Sequence, residues 1–124
     1  MRRAWLALFP CSLGCAEPIE PTFTNVQDEV FTKSCAFSTC HGSNGSAELT
    51  LVEGEAYDNL VDVQSEDNPG AIRVVAGDVD ASYIVKKLRG DSDIEGAPMP
   101  PGGKLPNRKL RLIEDWIEGG ALDD

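Results

Sequence analysis

Two cysteines and the only histidine of the chain fall within one short segment, Cys35-Ala36-Phe37-Ser38-Thr39-Cys40-His41. Any fold of this chain keeps two thiols and one imidazole close together, because so little backbone separates them. Thiols and imidazoles bind metals and form covalent links, which ordinary core side chains do not. This segment therefore constrains both the fold and the chemistry of the chain more than any other.

The position of His41 directly after Cys40 indicates attachment of a c-type haem. In such sites two Cys sulfurs add to the porphyrin vinyl groups, and the His after the second Cys binds the iron. The adjacency matters because the second thioether holds the edge of the ring, so the next imidazole can reach beneath the iron. Four residues separate Cys35 from Cys40, whereas the common spacing is two. The segment predicts Cys35 and Cys40 as covalent haem sites and His41 as the proximal iron ligand.

A distal ligand is suggested by Met99, the only methionine besides the initiator. It lies in the run Pro98-Met99-Pro100-Pro101-Gly102-Gly103, and the long stretch Gly90–Gly103 around it has no helical pattern. Proline has no N–H and fixes φ, so this run is expected to be stiff and extended. Ligation by two histidines is excluded because the chain has only one. We therefore expect His/Met ligation of the iron, which raises the haem potential.

Hydrophobic periodicity predicts three or four helices, no sheet and long loops. The first helix is expected to begin at the capping box Thr24-x-x-Gln27 and to run directly into Cys35. The last is expected to stop at Gly119–Gly120. The only β-like run, Ile72–Val75, is too short to form a sheet on its own. The predicted helices are Asn25–Ser34, Ala56–Val63, Ala81–Leu88 and Asn107–Glu118.

In their order, these motifs resemble small monohaem class I cytochrome c domains of secreted or lipid-anchored bacterial proteins. The resemblance covers about Phe23–Ala121. It is carried by Phe31–Cys35, Cys40-His41-Gly42, Val75-Ala76-Gly77-Asp78 with Ser82-Tyr83, Met99–Gly103, and Trp116-Ile117-x-x-Gly120-Ala121.

The resemblance implies an all-α, cytochrome c-like fold of three to four helices around one covalent haem c. It implies electron transfer to and from redox partner proteins, with Met99 on a loop over the distal face. The first and last helices would cross near the haem edge, and Trp116 would line or brace the haem pocket. This crossing would pack Val26, Val30 and Phe31 against Ile113, Trp116 and Ile117.

The first fifteen residues have the pattern of an export signal. Arg2 and Arg3 precede the apolar run Ala4–Phe9, and Ser12–Cys15 resembles a bacterial lipobox, in which the Cys is lipidated after cleavage. An ordinary secretory signal remains an alternative. We expect a signal peptide at 1–15 with lipidation at Cys15, a proline-containing tether at 16–22 and one domain at 23–124. The protein would then be exported, on the periplasmic or outer-surface side of a bacterial membrane.

The charge balance excludes some partners. The chain has 21 acidic and 11 basic residues and a formal net charge of −10. Such a surface repels nucleic acid and anionic lipid headgroups. No stretch reaches the 18 or more apolar residues of a spanning helix, so membrane attachment would be through the lipid only. We expect the domain to be monomeric and its partners to be other redox proteins.

Three other interpretations are open to the same residues. Exported proteins oxidise their thiols, so Cys35 and Cys40 could form a disulfide in a small structural or interaction lipoprotein without haem. A zinc site would have only three ligands, and adjacent Cys and His side chains do not easily converge on one tetrahedral ion. An enzyme is not predicted: with Met99 bound, the iron has no open position, and the chain has no second His for a nucleophile–base pair.

Overall fold

The structure is a computed structural model that describes residues 14–124. Most of the predicted export signal lies outside the described residues, which include only Gly14 and Cys15 of it, both exposed. Residues 16–22 form neither helix nor strand. Within residues 14–124, no helix has both the length and the apolar character needed to span a membrane.

The first helical run leads into the cysteine segment. It consists of helix α1 (Phe23–Val26), a π-helical turn (Gln27–Phe31) and helix α2 (Thr32–Ser34). Thr22 caps its start, because the Thr22 hydroxyl oxygen accepts from the Asn25 N–H at 3.2 Å. The predicted capping box at Thr24-x-x-Gln27 is therefore wrong, and the helix begins before it. Phe23, Val26, Val30 and Phe31 are buried, which fixes the run against the core.

Three further helices follow, α3 (Ala56–Leu60), α4 (Tyr83–Arg89) and α5 (Asn107–Glu118), with a 3-10 turn at Ser46–Glu48 before them. Helix α5 has the bounds that its apolar periodicity predicts, and Leu112, Ile113, Trp116 and Ile117 are buried on one face. Helix α5 contacts both α1 and α4. The last helix therefore lies at the centre of the helix packing.

The predicted all-α, cytochrome c-like fold class is wrong. Only about a third of the described residues are helical, and α3 and α4 have only 5 and 7 residues. The Ile72–Val75 run forms isolated β-bridges instead, with Val74 paired to Val61 and Ile72 paired to Gln64 and Ser82. The reason is local: glycines and prolines recur in the segments between the described helices, where they disfavour helix formation. Loop residues therefore complete the core, among them Leu51, Val74, Leu105 and Ala121.

An aromatic cluster joins the two ends of the domain. The ring of Phe23 lies 5.3 Å from that of Trp116 and 5.1 Å from that of Tyr57, measured between centroids. The Trp116 indole N–H donates to the Leu122 carbonyl at 2.8 Å. The Thr24 N–H donates to the Asp124 carbonyl at 2.9 Å, so the last residues close over the first helix.

Candidate functional site

One apolar cavity of about 210 Å³ brings together three of the predicted site residues, Cys35, His41 and Met99. They come from the end of the first helical run, from the loop after it and from the loop after α4. The neighbouring walls are aliphatic, supplied by Leu49, Leu51, Leu60, Leu88 and Ile113. This is the type of cavity that takes a largely apolar ligand oriented by a few polar groups.

Two predicted residues do not line this cavity. Cys40 is half-buried beside it, next to His41 in the chain. Trp116 is 1% exposed and lies in the aromatic cluster, whereas Ile113, one turn earlier on α5, contributes to the cavity wall. Trp116 therefore braces the helix that forms the wall and does not line the cavity.

The segment between the two cysteines is a compact loop closed by its own backbone. The His41 N–H donates to the Cys35 carbonyl at 3.1 Å, and the Cys40 and Gly42 N–H groups both donate to the Phe37 carbonyl at 2.9 Å. A side chain at Gly42 would place its Cβ 2.9 Å from the Phe37 carbonyl oxygen, so only glycine fits there. The four residues between the cysteines therefore form a loop that turns back on itself.

Cys35 and Cys40 are both free thiols. Burial raises the pKa of the Cys35 thiol to about 11, although the ammonium of Lys109 acts in the opposite direction. Cys35 is thus a neutral thiol at ordinary pH. Phe37, between the two cysteines, is 53% exposed and leaves this side of the loop open to solvent.

A backbone carbonyl orients the imidazole of His41. Its Nδ1 lies 2.9 Å from the Leu49 carbonyl oxygen. A carbonyl can only accept, so Nδ1 carries the proton and, in the neutral ring, Nε2 keeps its lone pair. Metal-binding histidines are usually held in this way by a partner on the other nitrogen. Nothing in the sequence points to Leu49, because any residue has a carbonyl.

A buried cation, Arg73, also lines the cavity and was missed by the sequence analysis. It is 7% exposed, and its guanidinium donates to the carbonyls of Asn59 at 2.9 Å and Ala47 at 3.3 Å. Among residues 14–124 no carboxylate lies within salt-bridge distance of it. Burial lowers its pKa, partly offset by the more distant Glu66 and Asp67. The one available signal was a charged residue within the apolar run Ile72–Val75.

The described residues hold no group of three or more His, Cys, Asp or Glu side chains arranged to bind a metal ion. This finding gives no support to the zinc alternative, which needed Cys35, Cys40 and His41 to converge on one ion. A His/Met pair is a different type of site, since a thioether supplies one of its two ligands.

Comparison of the chain with protein-family models, with curated proteins and with solved structures finds no match. The resemblance to cytochrome c domains therefore depends on the sequence motifs alone. The roles of Cys35, Cys40, His41 and Met99 stay predictions, now with a cavity that three of them share.

Proposed function

We propose that this protein carries one covalent c-type haem and transfers single electrons between partner proteins. Cys35 and Cys40 would form the thioether links, His41 would be the proximal ligand and Met99 the distal ligand. The observation that carries the proposal is the apolar cavity in which Met99, distant in the sequence, meets Cys35 and His41 of the cysteine segment.

The residues present fit the group. Aliphatic walls suit a flat apolar ring, and Arg73 offers a buried positive charge to a carboxylate such as those at the edge of a haem. Pairing would benefit Arg73, since a buried charge without a counterion is costly. When bound, haem supplies an iron that alternates between Fe(II) and Fe(III).

The chain's own residues have separate tasks in this function. The Leu49 carbonyl holds the His41 ring so that Nε2 is the free ligand atom. The aliphatic walls make part of the surroundings of a bound group apolar, and less polar surroundings tune the potential of a bound metal. Met99 offers a thioether that closes the site to other ligands, which is consistent with electron transfer and not with catalysis.

Export and lipid anchoring at Cys15 are part of the same proposal. Covalent attachment of haem to two thiols would take place outside the cytoplasm, so the chain would have to be exported. Cys15 is exposed, and residues 16–22 after it form neither helix nor strand. Such a segment would leave a lipid on Cys15 free to reach a membrane.

The direct test is a denaturing gel. Full-length protein made in a host with a c-haem maturation system is boiled in denaturant and stained for haem. We expect the stain to stay with the polypeptide. A colourless protein whose mass spectrum shows Cys35 linked to Cys40 would refute the proposal and establish the disulfide alternative.

Met99→Ala is expected to remove the long-wavelength sulfur-to-iron band of the oxidised protein and to lower the reduction potential, because a thioether ligand stabilises Fe(II). The measurements are the visible spectrum and a redox titration. Ile94→Ala, a half-buried residue on the same loop, is the control and should keep the band. An unchanged spectrum in Met99→Ala would show that another residue binds the iron.

A further inference from the structure

The loop that carries Met99 is attached to helix α4, and Lys87 makes most of the contacts with the backbone just before Met99. The Lys87 ammonium donates to the carbonyls of Glu95 and Ala97, both at 2.7 Å. The Lys87 carbonyl accepts from the Met99 N–H at 2.9 Å. We propose that Lys87 is a positioning residue for Met99. This proposal rests on the haem function above only because that function makes the Met99 thioether an iron ligand.

The sequence explains the shape of this loop but not its location. Pro98, Pro100 and Pro101 restrict the local backbone, yet a stiff segment still needs an attachment to the domain. Residues 95–98 are exposed, so the Glu95 and Ala97 carbonyls would otherwise bind water. Hydrogen bonds from a charged donor are stronger than neutral ones. The two bonds from Lys87, to the carbonyls of Glu95 and Ala97, hold the backbone just before Met99 and so determine where the thioether enters the cavity.

Lys87 is well placed for this task because it lies at the cavity itself. Its side chain is half-buried and lines the same cavity as Met99 and His41. Tyr83, one turn earlier on α4, adds a fourth contact, since its hydroxyl oxygen accepts from the Glu95 N–H at 2.9 Å. Helix α4 therefore determines the position of the loop through one face, at residues 83 and 87.

The preceding residue, Lys86, provides a matched control. It also reaches the loop, where it pairs with Asp93, but this partner is 59% exposed and is a side chain. Surface ion pairs contribute little to stability. Lys86→Met and Lys87→Met thus remove the same charge from adjacent positions of the same helix. Only Lys87→Met deprives the Glu95 and Ala97 carbonyls of their charged donor.

The first measurement is amide hydrogen exchange of the full chain as purified, with or without haem. Lys87→Met should speed exchange at the Glu95 and Met99 amides at least tenfold, because exchange there requires the loop to leave α4. Lys86→Met should change it less than twofold, and Lys87→Arg should restore protection. Equal effects of Lys86→Met and Lys87→Met would overturn the proposal.

The second measurement uses the haem-loaded protein and added imidazole, which competes with Met99 for the iron. We expect Lys87→Met to bind imidazole about tenfold more tightly than the wild type, at a melting temperature close to that of Lys86→Met. Unchanged imidazole affinity would overturn the positioning role. If the wild type carries no haem, the proposed function fails, while the hydrogen-exchange result still decides whether Lys87 holds the loop.

Discussion

Replacing both Cys35 and Cys40 with alanine is expected to abolish haem that survives boiling in denaturant. The bonds from Cys35 and Cys40 are the only covalent links between chain and haem in the proposed site. The His41 imidazole and the Met99 sulfur release the iron when the chain unfolds. Each single variant should retain at most a reduced stain, held by the remaining sulfur. The readout is the ratio of haem stain to protein stain on one gel, together with the intact mass.

Ser38→Ala is the matched control for these variants. Ser38 is exposed, lies in the same loop and is not one of the residues that close it by the backbone bonds described above. It should stain like the wild type. Full staining of the double Cys variant would show that haem is held elsewhere, which would contradict the assignment of both thiols.

Trp116→Ala is expected to lower the free energy of unfolding by about 3–5 kcal/mol, the usual cost of truncating a large buried aromatic side chain. The Trp116 side chain is 1% exposed and lies against the Phe23 ring. Its removal leaves a cavity at the contact of the first and last helices and deprives the Leu122 carbonyl of its indole donor. Denaturant unfolding monitored by circular dichroism measures the change.

Leu122→Ala tests whether the loss in free energy of unfolding depends on burial of the side chain that is removed. Leu122 is a neighbour of the same cluster in the chain, but its side chain is 59% exposed. Substitutions at such positions usually change stability by less than about 0.5 kcal/mol. A loss below about 1 kcal/mol in Trp116→Ala would contradict the packing of α1 on α5.

Helix α5 could be predicted to the residue, because its apolar positions repeat over three turns and a glycine pair follows. Shorter helices could not. Ala56–Val63 was expected and Ala56–Leu60 is observed, since Val61 leaves the helix to pair with Val74 and Asp62 adopts a positive φ of 60°. Short helices depend on tertiary contacts for their stability. Local periodicity therefore gave three or four helices but overestimated their share of the chain.

The candidate site shows the same division between local and distant information. The adjacency of Cys40 and His41 is visible in the sequence, and Met99 stands out because the chain has no other internal methionine. The contacts of His41 with the Leu49 carbonyl, of Arg73 with the Asn59 carbonyl and of Lys87 with the Ala97 carbonyl each join a side chain to a backbone carbonyl of another segment. Such contacts leave no residue pattern, so they become apparent only from the folded chain.

The buried state of Cys35 has a consequence for the order of biosynthesis. Because burial raises the pKa of the Cys35 thiol to about 11, the nucleophilic thiolate is a small minority at neutral pH once the domain has closed. Bond formation at this sulfur is therefore favoured while the polypeptide is still open. If the proposed haem attaches at this sulfur, we expect its attachment to come before the domain closes around the thiol.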